Sequence, residues 1–570
     1  AGAGNDVLFD VPTNGSQSDG GNGGEVSGNY AVFNVLEDAA SGGNAALSNG
    51  NLQIDGSSSE QFRAATIPVT SGKWYFEIVQ SAGTDFGPGV WAYPLSTPSS
   101  AFHQNENYRY NSNGGVYDES AKITDYSSFA VGDVIGTALD MDNGKVYFSK
   151  NGTWQNSGDP AAGTNPAATG LTGQWVFGAS TNGNSTTLSA NFGQRAFAYT
   201  APSGYKALCT TNLPTPTIAD GSDYFDVKLY TGNGSTQSIT GFEFSPDWVW
   251  IKPRSPNAQN HFLYDSVRGA GRSLRSSTTG SEQGPNTGTD GDLRSFDANG
   301  FSLGSGAGGT GSGAVNNNNE AIVAWSWDAG SSTVSNTDGS ITSSVRASAT
   351  SGFSIVSWTG TATAGTIGHG LSAAPEFIIT KRRNSTGNWF SQHASLGSTH
   401  RIQLNQTSAA TSGTSLWNST SPTDSVFSIG ADNEVNASGG TFIAYCISPV
   451  AGFSAVGSYE GNGNFSGDGP FVNLSFAPAF LIIKNADTSS DWLVFDNKRP
   501  GYNLNTGALY ANQNYVEGSV LRVLDLLSNG FKIKPTSSTT GSRNDINNSG
   551  DTYLYFAFAT NPFQANGGLA

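Results

Sequence analysis

Two aspartates are of the residue type that glycoside hydrolysis uses. Asp265 and Asp496 end the short apolar runs His261-Phe-Leu-Tyr-Asp265 and Trp492-Leu-Val-Phe-Asp496. Glycoside hydrolysis needs two carboxylates at a set separation. These two, however, recur at matching places in what reads as an internal repeat, and a catalytic pair has no reason to be copied, so a structural cap accounts for them better. Lys252, Lys381 and Lys484 close apolar strands. They suit either repeated contacts to an anion or acidic sugar, or strand closure with pairing of Lys252 to Asp265 and Lys484 to Asp496; the second reading is preferred. Asp140, Asp142 and Asn143 offer oxygens of the kind Ca²⁺ takes, but the same residues make a hairpin turn, which is the reading adopted. The histidines His103, His261, His369, His393 and His400 show no ligand spacing and read as surface or packed side chains. Cys209 and Cys446 fit no metal or redox spacing and read as small buried apolar residues.

The aromatic residues divide into two groups. Trp74, Trp250, Trp325 and Trp492 alternate within strand-like runs and are expected in the core. Trp91, Tyr93, Tyr108, Tyr110 and Tyr117 lie among Pro, Asn, Gly and Ser. Rigid amphipathic rings in polar loops could stack on a sugar ring or a protein epitope, so these five are the candidate ligand-binding residues. No catalytic residue, metal ligand or cofactor site is assigned. There is no nucleophile elbow, and Gly304-Ser-Gly-Ala-Gly-Gly309 lacks the residues of a phosphate loop and reads as a long loop, as does Arg268-Gly-Ala-Gly-Arg272.

Composition says what must hold these residues. Among 570 residues, 74 are Gly and only 12% are charged, with a net charge of −17. Few Lys, Glu and Met, with many Gly, Ser, Thr and Asn, predict an all-β chain. So few cations argue against a nucleic-acid partner and against docking on anionic lipid. No apolar run is long enough to insert in a membrane. The chain opens on Ala1 with no leader-like stretch and is read as a processed product or a piece of something longer.

Apolar runs alternate with turn clusters throughout. Lys73–Val79, Val134–Asp140 and Lys145–Lys150 read as strands, the last two joined by a hairpin at Asp142-Asn143-Gly144 with both central residues of the turn at positive φ. Leu213-Pro-Thr-Pro-Thr217 breaks the pattern and marks a boundary. Beyond it, Pro246-Asp-Trp-Val-Trp-Ile-Lys252 matches Pro375-Glu-Phe-Ile-Ile-Thr-Lys381 and Pro478-Ala-Phe-Leu-Ile-Ile-Lys484. Asn299-Gly-Phe301 and Asn529-Gly-Phe531 recur, with Val426-Phe427 between them, and each unit ends on an apolar strand. The expected domains are an extended arm over 1–39, a β-sandwich over 40–212, and β modules over 218–330, 345–449 and 450–563, the middle module lacking the aspartate.

Four ordered motifs carry a resemblance to the SPRY family. Gly72-Lys-Trp-Tyr-Phe-Glu77 resembles its early strand, and Val131-Gly-Asp-Val-Ile-Gly136 the strand before its hairpin. Leu139-Asp-Met-Asp-Asn-Gly-Lys-Val-Tyr-Phe148 with Asn151-Gly152 resembles the hairpin itself, and Asn191-Phe-Gly193 with Phe197 the closing strand. The resemblance implies a bent β-sandwich that binds ligands through its loops, without catalysis. The lead Phe9-Asp-Val-Pro-Thr-Asn14 and Gly28-Asn-Tyr-Ala-Val-Phe33, together with the triplicated unit, resembles SPRY-containing structural proteins of tailed bacteriophages. The full expectation is therefore all-β: a SPRY-like bent β-sandwich followed by three related β-sandwich-like modules. The chain would be an extracellular virion protein, a tail fibre or spike component that binds a host surface glycan or protein non-covalently. It would meet other virion proteins and form a homo-oligomer, a trimer on the fibre-family pattern. The alternatives are a capsid decoration or cement protein or head fibre, and a polysaccharide depolymerase.

Overall fold

The strand-like runs are strands. The computed structural model describes residues 28–37, 45–56, 60–83, 86–95, 106–182, 186–285, 292–305, 315–466, 468–499, 503, 505–535 and 546–562. Most of the arm, His103 and most of the Gly304–Gly309 run lie outside the described residues. Two compact units are present, with the main boundary between Thr215 and Pro216 and with Phe471–Asn473 assigned to the first. Among the described residues the α-helices are single turns, Thr414–Trp417 and Asn433–Asn436.

The first unit is a two-sheet sandwich. One sheet runs Ala46–Ser48, Gln53–Asp55, Thr187–Asn191, Lys73–Ala82, Val134–Asp140, Lys145–Lys150 and Thr153–Trp154, with Lys206–Ala207 added in parallel to Lys73–Ala82. The other runs Glu60–Ala64, Gln174–Asn182, Phe86–Tyr93, Asn107–Tyr110, Gly115–Asp118 and Ala121–Asp125. Trp74, Phe76 and Ile78 from one sheet meet Val90, Trp91, Val176 and Phe177 from the other in one core. Tyr30, Ala31 and Phe33 are buried too, and the Ala31 amide donates to the Leu208 carbonyl at 2.9 Å, so residues 28–37 belong to the sandwich rather than to an arm. The hairpin joins Asp140 to Lys145 through a four-residue turn in which Gly144, at φ 60°, takes the left-handed conformation and Asn143 does not. Instead the Asn143 side chain donates to the Asp140 carboxylate at 2.9 Å, fixing the turn from outside its backbone.

In the second unit three sheets share one strand order. The first is Phe225–Thr231, Ala321–Trp327, Trp248–Ser255, Phe262–Asp265, Leu274–Arg275. The second contains Phe353–Thr359, Thr441–Ile447, Phe377–Arg382, Trp389–His393, His400–Gln403, and is widened by Thr333–Asn336 and Ser343–Ser348. The third contains Ser454–Glu460, Thr552–Pro562, Phe476–Asn485, Leu493–Asp496, Asn505–Tyr510, and continues through Gly518–Leu527 and Gly530–Pro535. Register makes the equivalence residue by residue: Trp248 faces Asp265, Phe377 faces His393 and Phe480 faces Asp496.

Side-chain alternation explains why these strands are apolar throughout. Trp248 and Trp250 point into a core shared by all three sheets, while Val249 and Ile251 point outward into the first sheet's own core beneath Gln237–Thr240, Leu293–Asp297 and Gly300–Leu303. The second sheet does the same: Ile443, Tyr445 and Ile447 face the shared core, and Phe442, Ala444 and Cys446 face Gly365–Gly368 and Val426–Ile429. A strand covered on both faces loses its polar alternation. The three sheets therefore close around a common axis instead of standing as separate beads.

A second device recurs in each module. Asn316, Asn436 and Asn547 are fully buried, and each accepts a backbone N–H through its side-chain oxygen: from Asn233 at 3.1 Å, Thr361 at 2.8 Å and Asn462 at 2.9 Å. Their amide groups donate to carbonyls of the same loops, including Ser235, Thr363 and Asn464. Gly232, Gly360 and Gly461 sit against this clamp, so that a Cβ on Gly232 would lie 2.1 Å from the Asn317 carbonyl oxygen. No other residue type permits that approach.

Candidate functional site

The aromatic platform expected in the first unit does not form. Trp91, Tyr93, Tyr108 and Tyr110 lie on the strands Phe86–Tyr93 and Asn107–Tyr110 and are buried in the sandwich core. Trp91 packs on Phe62 at 4.5 Å between centroids, Tyr108 stacks on Trp175 at 5.8 Å, and Tyr110 meets Phe129 edge-on at 4.8 Å. The Tyr93 hydroxyl donates to Glu37 at 3.2 Å. Tyr117 alone is half-buried, with the Arg109 guanidinium 5.0 Å from its ring centre. The glycines around them reflect close strand packing, not loop: a Cβ on Gly89 would lie 2.2 Å from the Tyr108 carbonyl oxygen.

A surface concavity among the described residues of this unit lies elsewhere. A groove of about 500 Å³ is lined by Gly72, Lys73, Trp74, Asp142, Gly204, Lys206 and residues 212–215. The pairing of Lys73 with Asp140 and of Lys206 with Trp74 sets both lysines on sheet strands. Lys73 is ion-paired to Asp140 at 3.1 Å and lies 5.8 Å from the centre of the Tyr205 ring. The Gly72 amide donates to Asp142 at 2.7 Å, which ties the hairpin turn to the start of the neighbouring strand. Asp140 and Asp142 are thus employed in the turn, as the sequence suggested. No group of His, Cys, Asp and Glu side chains among the described residues is arranged to hold a metal ion.

The candidate catalytic and charged groups of the second unit are brought together at the joints between sheets. Asp265 is fully buried and takes the Arg268 side chain and its amide, the latter at 2.8 Å, and the Tyr445 hydroxyl of the second sheet at 2.8 Å. Asp496 repeats this with Arg499 at 2.6 Å and the Trp325 indole of the first sheet at 3.0 Å. A further carboxylate completes each set. Glu282 receives Arg268 at 3.4 Å and Arg383 of the second sheet at 2.8 Å, and Glu517 receives Arg499 at 2.9 Å and Arg254 of the first sheet at 2.7 Å. Both aspartates are fully buried and ion-paired to an arginine.

The third joint shows why the middle module has no aspartate. Position for position, Asp becomes His393, Arg becomes Leu396, Glu becomes Ala410, and the neighbour's Arg becomes Ala486. The backbone contact of the joint is kept, with Ala410 N to Ala486 O at 2.8 Å matching Glu282 N to Arg383 O at 2.8 Å and Glu517 N to Arg254 O at 2.9 Å. The facing residue that offers a polar hydrogen in the other joints, Tyr445 or Trp325, is here Phe556. With no guanidinium and no hydroxyl or indole from the neighbouring sheet to receive, a buried carboxylate would keep its charge uncompensated. His393 instead meets the Tyr555 carbonyl at 3.3 Å, and its other ring nitrogen accepts from the Ser395 amide at 3.2 Å. Burial lowers its pKa to about 4, keeping it neutral.

The three lysines do not pair with these aspartates. Each is fully buried and reaches a backbone carbonyl of the adjacent module: Lys252 to Asn514 at 3.5 Å, Lys381 to Thr279 at 3.4 Å and Lys484 to Thr407 at 3.1 Å. The rest of each ammonium is held by carbonyls of its own module, such as Gln259 at 2.7 Å and Ser490 at 2.9 Å. Loss of hydration brings Lys252 and Lys484 to about 7 and Lys381 to about 8. Between those values and the ordinary lysine range the unfolded chain binds more protons than the folded one. Stability is therefore expected to rise with pH from about 7 to 9.5, by at most about 1.4 kcal/mol per pH unit for each lysine. Denaturant midpoints at intervals across that range test this, and Lys484→Met should flatten the slope; a fall with pH would contradict it.

Sequence reasoning missed Arg268, Arg499, Glu282, Glu517 and the clamp asparagines. The signal existed: Asp-x-x-Arg occurs at Asp265–Arg268 and at Asp496–Arg499, and each clamp Asn lies five residues before a closing strand that begins at Ala321, Thr441 or Thr552.

Comparisons with known proteins agree with this division. The SPRY domain profile matches residues 73–193. The SPRY domain of human HERC1 is similar at 20% identity, covering 28% of this chain and 96% of that one with a TM-score of 0.23. The TRIM65 PSpry domain is similar at 13% identity, covering 28% and 92% with a TM-score of 0.22. No curated protein matches the chain. The three-sheet unit is matched over residues 220–562, more than half the chain, by the profile of a domain of unknown function. The chain therefore carries a SPRY domain and, through its three-sheet unit, belongs to the family of the domain of unknown function DUF7483.

Proposed function

We propose that the protein is a non-enzymatic structural and recognition component of a tailed-phage particle. In this reading the three sheets of equal strand order are one phage-type unit repeated three times, forming a rigid support. The SPRY sandwich makes the non-covalent contact with a host surface glycan or protein. The observation that carries it is the fate of the polar groups: Asp265 and Asp496, the pair a depolymerase would need, are fully buried and neutralised by Arg268 and Arg499. Binding of many weak sites would gain from linkage on the particle, and a homotrimer of the whole chain belongs to the proposal.

Imaging of the particle with mass-based copy number is the test. A few copies at the tail with the SPRY domain outward, and binding of the purified chain to host cells, are expected. Hundreds of copies over the head would replace this reading with the decoration one. Burial of the rings of Trp91, Tyr108 and Tyr110 is the observation on that side, since it removes the aromatic surface first offered for adsorption.

A further inference from the structure

Resting on that reading, we propose that the groove at Lys73, Asp142 and Lys206 binds a short uncharged saccharide. Its charges cancel. Lys73 is ion-paired to Asp140 at 3.1 Å, and the other charged side chains of the lining, Asp142 and Lys206, are of opposite sign, so the net charge favours neither an anion nor a cation. What remains is a mixture of donors and acceptors on fixed supports. The Lys73 side chain is still 28% exposed after pairing with Asp140, and an ammonium has three hydrogens to give. Asp142 has one oxygen engaged by the Gly72 amide and a second to offer. Hydroxyl groups, each able to donate and accept, answer such a lining; a purely apolar ligand would strand it.

The remaining walls suit the less polar faces of a sugar ring. Leu213 and Pro214 supply apolar contact beside Trp74. Gly72 and Gly204, at φ 85° and 87°, contribute backbone without a Cβ, so a ligand can approach the main chain closely. The volume of about 500 Å³ lies within the range of small-molecule sites and leaves room for one or two rings. Lys73 and Lys206 sit on sheet strands and Asp142 in the tied hairpin turn, so these three groups are placed before a ligand arrives.

The test is titration of the full chain with neutral disaccharides of glucose, galactose and N-acetylglucosamine, followed by calorimetry, with a uronic-acid-containing disaccharide as the charged control. Saturable binding of a neutral disaccharide is expected, weakened about tenfold by Lys206→Gln and by Asp142→Ala. Asp142→Asn keeps an acceptor for the Gly72 amide and should bind nearly as the parent does, at an unchanged melting temperature. No saturation by any neutral disaccharide, tighter binding of the charged control, or indifference to Lys206→Gln would each overturn the inference. Host-cell binding of the same variants separates the two proposals. Cells bound equally by parent and Lys206→Gln would leave adsorption standing and remove the groove. Disaccharide binding without cell binding would do the reverse.

Discussion

Arg268→Ala should destabilise the three-sheet unit by roughly 3–5 kcal/mol, because it leaves a charge with no counterion in a sealed joint. Asp265 would retain the residue 268 amide and the Tyr445 hydroxyl but no cation, and the Leu263 carbonyl would lose the guanidinium that now reaches it at 2.8 Å. The third joint supplies the rescue. Asp265→His, Arg268→Leu, Glu282→Ala, Arg383→Ala and Tyr445→Phe together install the side chains found at His393, Leu396, Ala410, Ala486 and Phe556. Exchanging a whole buried ionic set for a packed apolar one is often neutral. The fivefold variant should therefore lie within about 1 kcal/mol of the parent, although it contains the Arg268 change. Denaturant unfolding of both proteins decides the matter. A mild Arg268→Ala, or a fivefold variant worse than the single one, would show that the joints are not interchangeable sets.

Trp248→Ala is expected to cost about 3–5 kcal/mol and to lower one transition, not one of three. Its ring lies 4.4 Å from Trp327 in its own sheet and 4.4 Å from Tyr445 in the next, with Phe353 at 5.4 Å. The sheets share this core, so a cavity beneath Trp248 withdraws contacts from two of them. Calorimetry of the parent and the variant should each give a single peak for this unit, the second at lower temperature. Separate peaks for the three modules would mean that each stands on its own outer core, as in Val249 and Ile251 over Phe301.

How much of this was legible follows from what each signal encodes. Strand periodicity and turn residues report local geometry, so the all-β class and the SPRY hairpin at Leu139–Phe148 could be read directly. The Pro-to-Lys strands were visible because their two-sided burial makes them apolar without interruption. Whether the modules stood apart or closed around an axis was not visible, since it depends on contacts such as Trp389 to the Arg275 carbonyl and Trp492 to the Gln403 carbonyl, which no local pattern records. The aromatic site was misread for a related reason. Trp91 and Tyr108 sit among glycines, and glycine marks both a loop and a strand pressed against its neighbour. The missing aspartate in the middle module carried information that a single module could not yield: it goes with Leu396 and Ala410 in its own module and with Ala486 and Phe556 in a different one.

That dependence reaches beyond stability. Each joint draws residues from two modules far apart in the sequence: Asp265 with Tyr445, Asp496 with Trp325, His393 with Tyr555. A change on one side is tolerable only in the company of its counterpart. Descent would thus act on joints, not on modules, and a copy of one module transplanted into another's place would arrive with half of two foreign locks. Surfaces and loops are free of this constraint, while the pairs across each seam must be matched to one another.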